Sequence, residues 1–153
     1  MNQKILPIVS SWFLTAFLVA SLVGFTDAAY LTIKYYNNLS VSCGILGGNC
    51  ERVTASQYAT VGDIPVALLG AFYYFVLFVL ILLYLKFSRE GIIDLTARLT
   101  LVGFLVSLWL LYLQLFVIKA VCLYCLISAL SSTVLFVLGL WYLRIKGRNK
   151  GLN

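Results

Sequence analysis

Cys122 and Cys125 stand three residues apart in the stretch Val121–Ser128, at the start of the last long apolar run of the chain. On a helix, residues at i and i+3 share a face, with Cβ atoms roughly 5–6 Å apart, close enough for a disulfide after slight adjustment. The first cysteine of such a pair falls near the helix N-terminus, where free N–H groups and the macrodipole favour an anion. A thiolate is stabilised there, and the thiolate is the form that attacks disulfides. The pair reads as a redox couple in the mouth of a membrane helix. The other two cysteines, Cys43 and Cys50, flank a Gly-Gly-Asn run that lets the chain curl.

The elements that must position these residues follow from composition. Of 153 residues, 63% are hydrophobic and only 10% are charged, more apolar surface than a water-soluble domain of this length can cover. The expectation is an all-α integral membrane protein, one membrane domain over residues 1–153, with four transmembrane helices. A span needs about 20 apolar residues, and the runs fall at about 6–33, 64–85, 95–118 and 121–143. The first run is too long for the core of a cleaved signal peptide, the alternative that Lys4 suggests. An outer loop covers 34–63, an inner loop 86–94, and a basic tail 144–153. Within the outer loop, Asn49 can cap a short amphipathic half-helix through Tyr58, with Glu51, Arg52 and Gln57 outward, lying along the membrane surface. Pro65 suits the first turn of the second span.

Four spans put both termini on one side, together with Lys4, Lys86, Arg89, Arg98, Arg144, Lys146, Arg148 and Lys150. The other side holds Lys34, Arg52 and Lys119. The positive-inside rule makes the first side cytoplasmic. All four cysteines then face outward, where disulfides persist. The expected location is a multi-pass protein of the cell (inner) membrane with its active site on the extracytoplasmic face.

Other residues have competing readings. Asp27 is an intramembrane carboxyl, costly and by default functional. It can pair with Lys34, seven residues on and on the same face, or handle protons. Gln114 can meet a bound carbonyl or hydrogen-bond between helices, the commoner use. The aromatic run Phe72, Tyr73, Tyr74, Phe75 suits packing or the wall of a flat apolar ring. Lys119, one turn before Cys122, would lower its thiol pKa. Cys43 and Cys50 can instead staple a loop. Cys122 and Cys125 can form a structural disulfide or bind metal, although the loop cysteines lack zinc-site spacing, the chain has no histidine, and we expect no metal.

At this point the chain resembles the vitamin K epoxide reductase family, in particular its stand-alone prokaryotic members. The residues that carry the resemblance run from Ser21 to about Trp141. They are Ala29-Tyr-Leu-Thr, Cys43, Cys50-Glu-Arg-Val with Ser56, Tyr58 and Ala59, Ile64-Pro-Val-Ala-Leu-Leu-Gly, and Cys122-Leu-Tyr-Cys. The resemblance implies a four-helix bundle around a quinone of the ubiquinone or menaquinone type, capped by the half-helix after Cys50. It implies that Cys125 faces the quinone, that Cys122 exchanges with Cys50, and that Cys43 meets a thioredoxin-fold thiol oxidant. Ser56 matches a family Ser or Thr near the active cysteines. Pro65, Leu69, Phe72, Tyr73, Gln114 and Cys125 are the candidates for the quinone pocket. Vertebrate members carry an Asn near the start of helix two and a Tyr one turn after the second active cysteine. Val66 and Ala129 stand there in this chain, which weighs against vitamin K epoxide reduction and leaves quinone reduction untouched. Some bacterial members carry a fused thioredoxin domain. Here the chain stops at Asn153, so such a partner is expected to act in trans.

The function expected is a membrane thiol:quinone oxidoreductase, with catalytic Cys122 and Cys125, shuttle cysteines Cys43 and Cys50, and Ser56, Asp27, Lys34 and Lys119 in support. It would reoxidise its partner and so support disulfide formation in exported proteins. Its partners are that protein, the lipid and the quinone, with no nucleic acid. Two rivals are a tetraspanin-like scaffold with structural disulfides and a membrane metal-binding or transport protein.

Overall fold

The computed structural model describes residues 11–41 and 50–150. Lys4, Cys43 and Asn49 lie outside the described residues. Helix α1 is Ser11–Tyr36, α2 is Cys50–Thr54, α3 is Val66–Phe87, α4 is Glu90–Tyr112 and α5 is Leu123–Lys150. Residues Leu113–Ile118 continue α4 as a π-helical turn. Among the described residues, four helices are long and apolar enough to cross a membrane: Ser11–Tyr36, Val66–Phe87, Glu90–Ile118 and Leu123–Arg148. Helix α1 packs on both α3 and α5, and α4 closes the ring by packing on α5 and α3. The expected four-helix membrane bundle is the observed fold.

Lipid is as apolar as leucine, so helices here are held by close packing rather than by escape from water. The stripe of α1 that faces inward is Phe13, Phe17, Ser21, Gly24, Asp27, Ala28 and Leu31, while Trp12, Val19, Leu22 and Ile33 face outward. Gly24 is small because the ring of Tyr74 from α3 lies against it: a Cβ there would sit 2.5 Å from the ring. Gly139 of α5 plays the same part against α4, where an added Cβ would meet Thr100 Oγ1 at 2.5 Å. The middle of the bundle is filled by Tyr74, Leu77, Ile81, Ile93 and Leu135.

Helix ends depart from the expected boundaries. The inner connection is not residues 86–94 but two residues, since α3 runs to Phe87 and α4 begins at Glu90. Ser88 makes the turn in the left-handed conformation (φ 49°), its N–H donating to the Tyr84 carbonyl at 2.7 Å. The basic tail is likewise helical through Lys150. Lys146 pairs closely with Asp94 and lies 3.8 Å from Glu90, and Tyr142 Oη donates to Asp94 Oδ1 at 3.1 Å. Those carboxylates from the first two turns of α4 hold the last turns of α5. At the other end, α1 runs three residues past the expected Ile33, until Asn38 turns left-handed (φ 52°) and Leu39 N–H bonds the Lys34 carbonyl at 3.0 Å.

The loop helix is also shorter than expected, ending at Thr54 rather than Tyr58. Hydroxyls near its end compete for the backbone: Thr54 Oγ1 donates to the Cys50 carbonyl at 3.0 Å, and Ser56 Oγ to the Val53 carbonyl at 2.8 Å. A small antiparallel ladder follows, Thr60–Val61 against Ile64–Pro65, closed through Gly62 (φ 65°). Pro65 ends that ladder and stands just before α3 rather than inside it.

The Gly24 contact gives a stability test. Gly24→Ala should lower stability by about 1–3 kcal/mol through overpacking against Tyr74. Gly91→Ala, where a Cβ meets open space, should change it by less than about 1 kcal/mol. Equilibrium unfolding in mixed micelles reads both, and equal effects would refute the tight α1–α3 contact.

Candidate active site

Helix α5 begins beside the outer end of α4, and Cys122 is the residue that caps it. Its carbonyl accepts the first bond of the helix, from the Leu126 N–H at 3.1 Å. Leu123, Tyr124 and Cys125 are then the first three helical residues. At such a position a side chain normally supplies an oxygen to the orphan N–H groups of the second and third helical residues. Here a sulfur does so. Cys122 Sγ accepts hydrogen bonds from the Cys125 thiol and from the backbone N–H groups of Cys125 and Tyr124. Together they bring the Cys122 thiol down from 9.0 to about 7, against the opposing effect of burial. The side chain is fully buried.

The expected contribution of Lys119 is absent from this set of causes. Lys119 is exposed and left-handed (φ 53°), and its part is to end the π turn. That turn closes with the Ala120 N–H on the Gln114 carbonyl at 3.1 Å. A π turn is wider than an α turn and is often found at functional sites. Here it carries Gln114 inward, and Gln114 Oε1 accepts the Cys122 N–H at 3.1 Å. Of its two readings, Gln114 therefore makes the contact between helices.

The described cysteines are in two states. Cys50 is disulfide-bonded and buried at the start of α2, whereas Cys122 and Cys125 are free thiols. Cys50 and Cys122 belong to one apolar cluster with Leu31, Val41, Val53 and Ala120. Cys125 packs against that cluster and also lines a cavity, to which Cys122 does not contribute. One turn further on, Ser128 also lines it, and Tyr74 Oη donates to the Ser128 carbonyl at 2.6 Å and lies 3.1 Å from Ser128 Oγ.

The cavity is walled by all the long helices and by the segment from α2 to α3. Asp27, Ser56, Pro65, Gln114 and Cys125 line it as candidates from the sequence; Leu69, Phe72 and Tyr73 do not. Leu69 and Phe72 face outward, with Phe72 68% exposed. Tyr73 leans on Gly103 of α4 and donates to the Leu99 carbonyl at 3.3 Å. Val66 and Ala129, the two positions that depart from the vertebrate pattern, both line the cavity, so its wall is apolar at each of them. Ser56 lies on the turn after α2, not on the helix itself. Ser128 was not among the candidates, while Tyr74, named in the aromatic run, packs behind the cavity and bonds Ser128. The i, i+3, i+6 series Cys122, Cys125, Ser128 is the signal that points to Ser128.

Asp27 and Lys34 do not pair. Lys34 Nζ sits 5.7 Å from the centroid of the Tyr30 ring, and the ion pairs among the described residues are those of Lys146. Asp27 is 9% exposed, and its Oδ2 has no hydrogen-bond partner.

A sulfur poised as a nucleophile, next to a second sulfur on a cavity wall inside a membrane bundle, defines a class: membrane-embedded proteins that exchange electrons through thiols. The model of the vitamin K epoxide reductase family matches residues 15–140, and the chain belongs to that family. It is a multi-pass membrane oxidoreductase acting on thiols, in a family that uses quinone-type electron carriers. No curated protein matches the chain.

Because the Cys125 thiol is the first cause of the Cys122 acidity, Cys125→Ala should raise the midpoint of thiolate formation at Cys122 above about 7. Less thiolate is then present at neutral pH, and exchange at Cys122 slows there. Ultraviolet thiolate absorbance followed against pH measures the midpoint; an unchanged value in the variant would contradict this account of the acidity.

Proposed function

We propose that this protein is a disulfide-generating thiol:quinone oxidoreductase that reoxidises a thioredoxin-fold partner acting in trans. The observation that carries the reading is that Cys125 joins two surroundings: it packs against the apolar cluster that holds Cys50 and Cys122, and of the two free cysteines it alone lines the cavity. A reduced partner gives two electrons to the loop disulfide, entering at Cys43. The loop dithiol then reduces a Cys122–Cys125 disulfide, with Cys50 attacking Cys122 and Cys125 leaving as the free sulfur. Cys43 next attacks Cys50, which closes the loop disulfide again and releases Cys122 and Cys125 as a dithiol. Each step exchanges one S–S bond for another, so electrons and protons balance.

The residues around the cavity fit a quinone. Its wall is mainly apolar, with polar side chains from Asp27, Tyr35, Thr54, Ser56, Tyr58, Ser107, Gln114 and Ser128 beside Cys125, and Asp27 presents a carboxyl oxygen with no hydrogen-bond partner among the described residues. A flat ring with polar carbonyls asks for such a site. When bound, the quinone supplies the two-electron acceptor. Cys125 faces it, Tyr74 fixes the Ser128 turn behind Cys125, and the packed helices exclude water. The apolar residues Val66 and Ala129 favour a plain quinone over an epoxide as substrate.

The basic residues support a cytoplasmic location for the Ser88 turn and the end of α5, and an extracytoplasmic one for the cysteines. The membrane would be the cell (inner) membrane, and the activity would serve exported proteins. A cysteine placed at Ser88 should react with an impermeant thiol reagent only when the cytoplasmic face is opened. Labelling of sealed cells from outside would reverse the orientation.

Trapping tests the relay. In Cys125→Ala, Cys122 attacks Cys50 of the loop disulfide and releases Cys43, and nothing resolves the product from the cavity side. A Cys50–Cys122 disulfide should accumulate, identified by proteolysis and peptide mass mapping. A dominant Cys43–Cys122 link, or no link, would sink the relay. Disulfides that never open with a dithiol partner would indicate a scaffold, and thiols protected only by bound metal would indicate a metal protein.

A further inference from the structure

Asp27 is the one carboxyl that lines the cavity. It is 9% exposed, its Oδ2 has no hydrogen-bond partner, and Lys34 does not neutralise it. Among the described residues no Lys or Arg lines the cavity. An uncompensated anion is costly at such a place, while a carboxyl that holds and releases a proton has a use for it. Cys125 of α5 lines the same cavity, as do the phenols Tyr35 and Tyr58, and Tyr74 of α3 with Cys122 and Tyr124 of α5 are close enough to feel the charge of Asp27. A purely structural carboxyl would be expected to bond a hydroxyl or an N–H, as Asp94 does with Tyr142 and Lys146 at the other end of the bundle.

We propose that Asp27 is the proton donor of the quinone site, giving its carboxyl proton toward the bound ring as Cys122 and Cys125 close to a disulfide. The inference rests on the quinone reading above and deepens it. The balance is as follows. Cys122 enters as thiolate and Cys125 as thiol, and the S–S bond forms between them as the Cys125 S–H bond breaks. Two electrons leave the sulfurs for the bound quinone. Cys125 supplies one of the two protons needed for hydroquinone and Asp27 the other. The negative charge that began on Cys122 ends on Asp27, which regains a proton from water at the outer face. Without Asp27 the second proton would have to cross the apolar wall with no side chain to hold it.

The test uses the full-length protein in detergent, with dithiothreitol as donor and a short-chain ubiquinone as acceptor. Asp27→Asn keeps the shape and loses the exchangeable proton. It should lower kcat by about 100-fold, the scale of general acid catalysis, with KM for the quinone within about twofold, since uniform binding is retained. Asp27→Glu should recover most of the loss. Reduction of the Cys122–Cys125 disulfide by dithiothreitol, read by alkylation, should proceed at the same rate in all three proteins. A second readout needs no quinone: the infrared difference spectrum of wild type minus Asp27→Asn should contain a carboxylic-acid band that shifts on deuterium exchange, and Asp27→Glu should keep one. Wild-type kcat in Asp27→Asn, a loss confined to KM, or no such band in wild type would overturn the proposal. A wild-type protein that reduces no quinone would instead overturn the reading it rests on.

Discussion

The start of α5 places a constraint on everything around it. A helix that begins inside an apolar bundle exposes N–H groups that must find acceptors, because an unpaired buried donor costs roughly 1–3 kcal/mol. Cys122 is the cap, and in the proposed relay it is also the nucleophile, so the N–H groups that need an acceptor are the ones that make the sulfur acidic. Other parts of the outer end serve that arrangement. The π turn brings Gln114 to the remaining N–H, that of Cys122 itself. Lys119 and Ala120 turn the chain back, and Ala120 packs in the same cluster as Cys50 and Cys122.

Close packing further down keeps this end in place. Tyr74 enters a space that exists because residue 24 is glycine, and from there it reaches Ser128. One side chain thus sets the depth of α5 relative to α1 and α3, and with it the position of Cys125 on the cavity wall. At the far end, Lys146, Asp94, Glu90 and Tyr142 join α5 to α4. The helix is fixed at its second turn by Tyr74 and at its last turns by Asp94 and Glu90, and its first turn is left to be specified by the chemistry of the cap.

How much of this was legible in the sequence varies with the physical origin of each feature. The four spans come from long apolar runs, and the run lengths and the Cys-x-x-Cys spacing survive translation into structure. Asp27 stood out because a carboxyl in an apolar run is rare whatever its partner. The pocket wall was less readable. Helix α3 is apolar all round, with both lipid and protein as neighbours, so no periodicity distinguishes Leu69 and Phe72, which face outward, from Val66 and Gly70, which line the cavity. Helix ends were misplaced for a related reason. Polarity marks where the lipid ends, but the helices continue past that point where Asp94 meets Lys146 or where Asn38 provides a left-handed stop. The Thr60–Pro65 ladder is too short for any alternation to reveal it.

Placing the two active cysteines at the cap and in the first turn resolves a conflict that a pair deep in a helix could not. The relay proposed above would ask one sulfur to meet other thiols, and so to be acidic and near the loop. It would ask the other to face an apolar ring, away from water. Three residues along a helix amount to about 4.5 Å along the axis, a small step over which dielectric and hydrogen bonding usually change little. At a helix start they change sharply, because the free N–H groups are confined to the first turn and converge on the cap. Cys122 therefore collects those donors while Cys125, already inside the hydrogen-bonded helix, contributes its own N–H and turns its sulfur to the cavity wall. The difference between the two sulfurs is made by their position on one helix, and no rearrangement of the bundle is needed to maintain it.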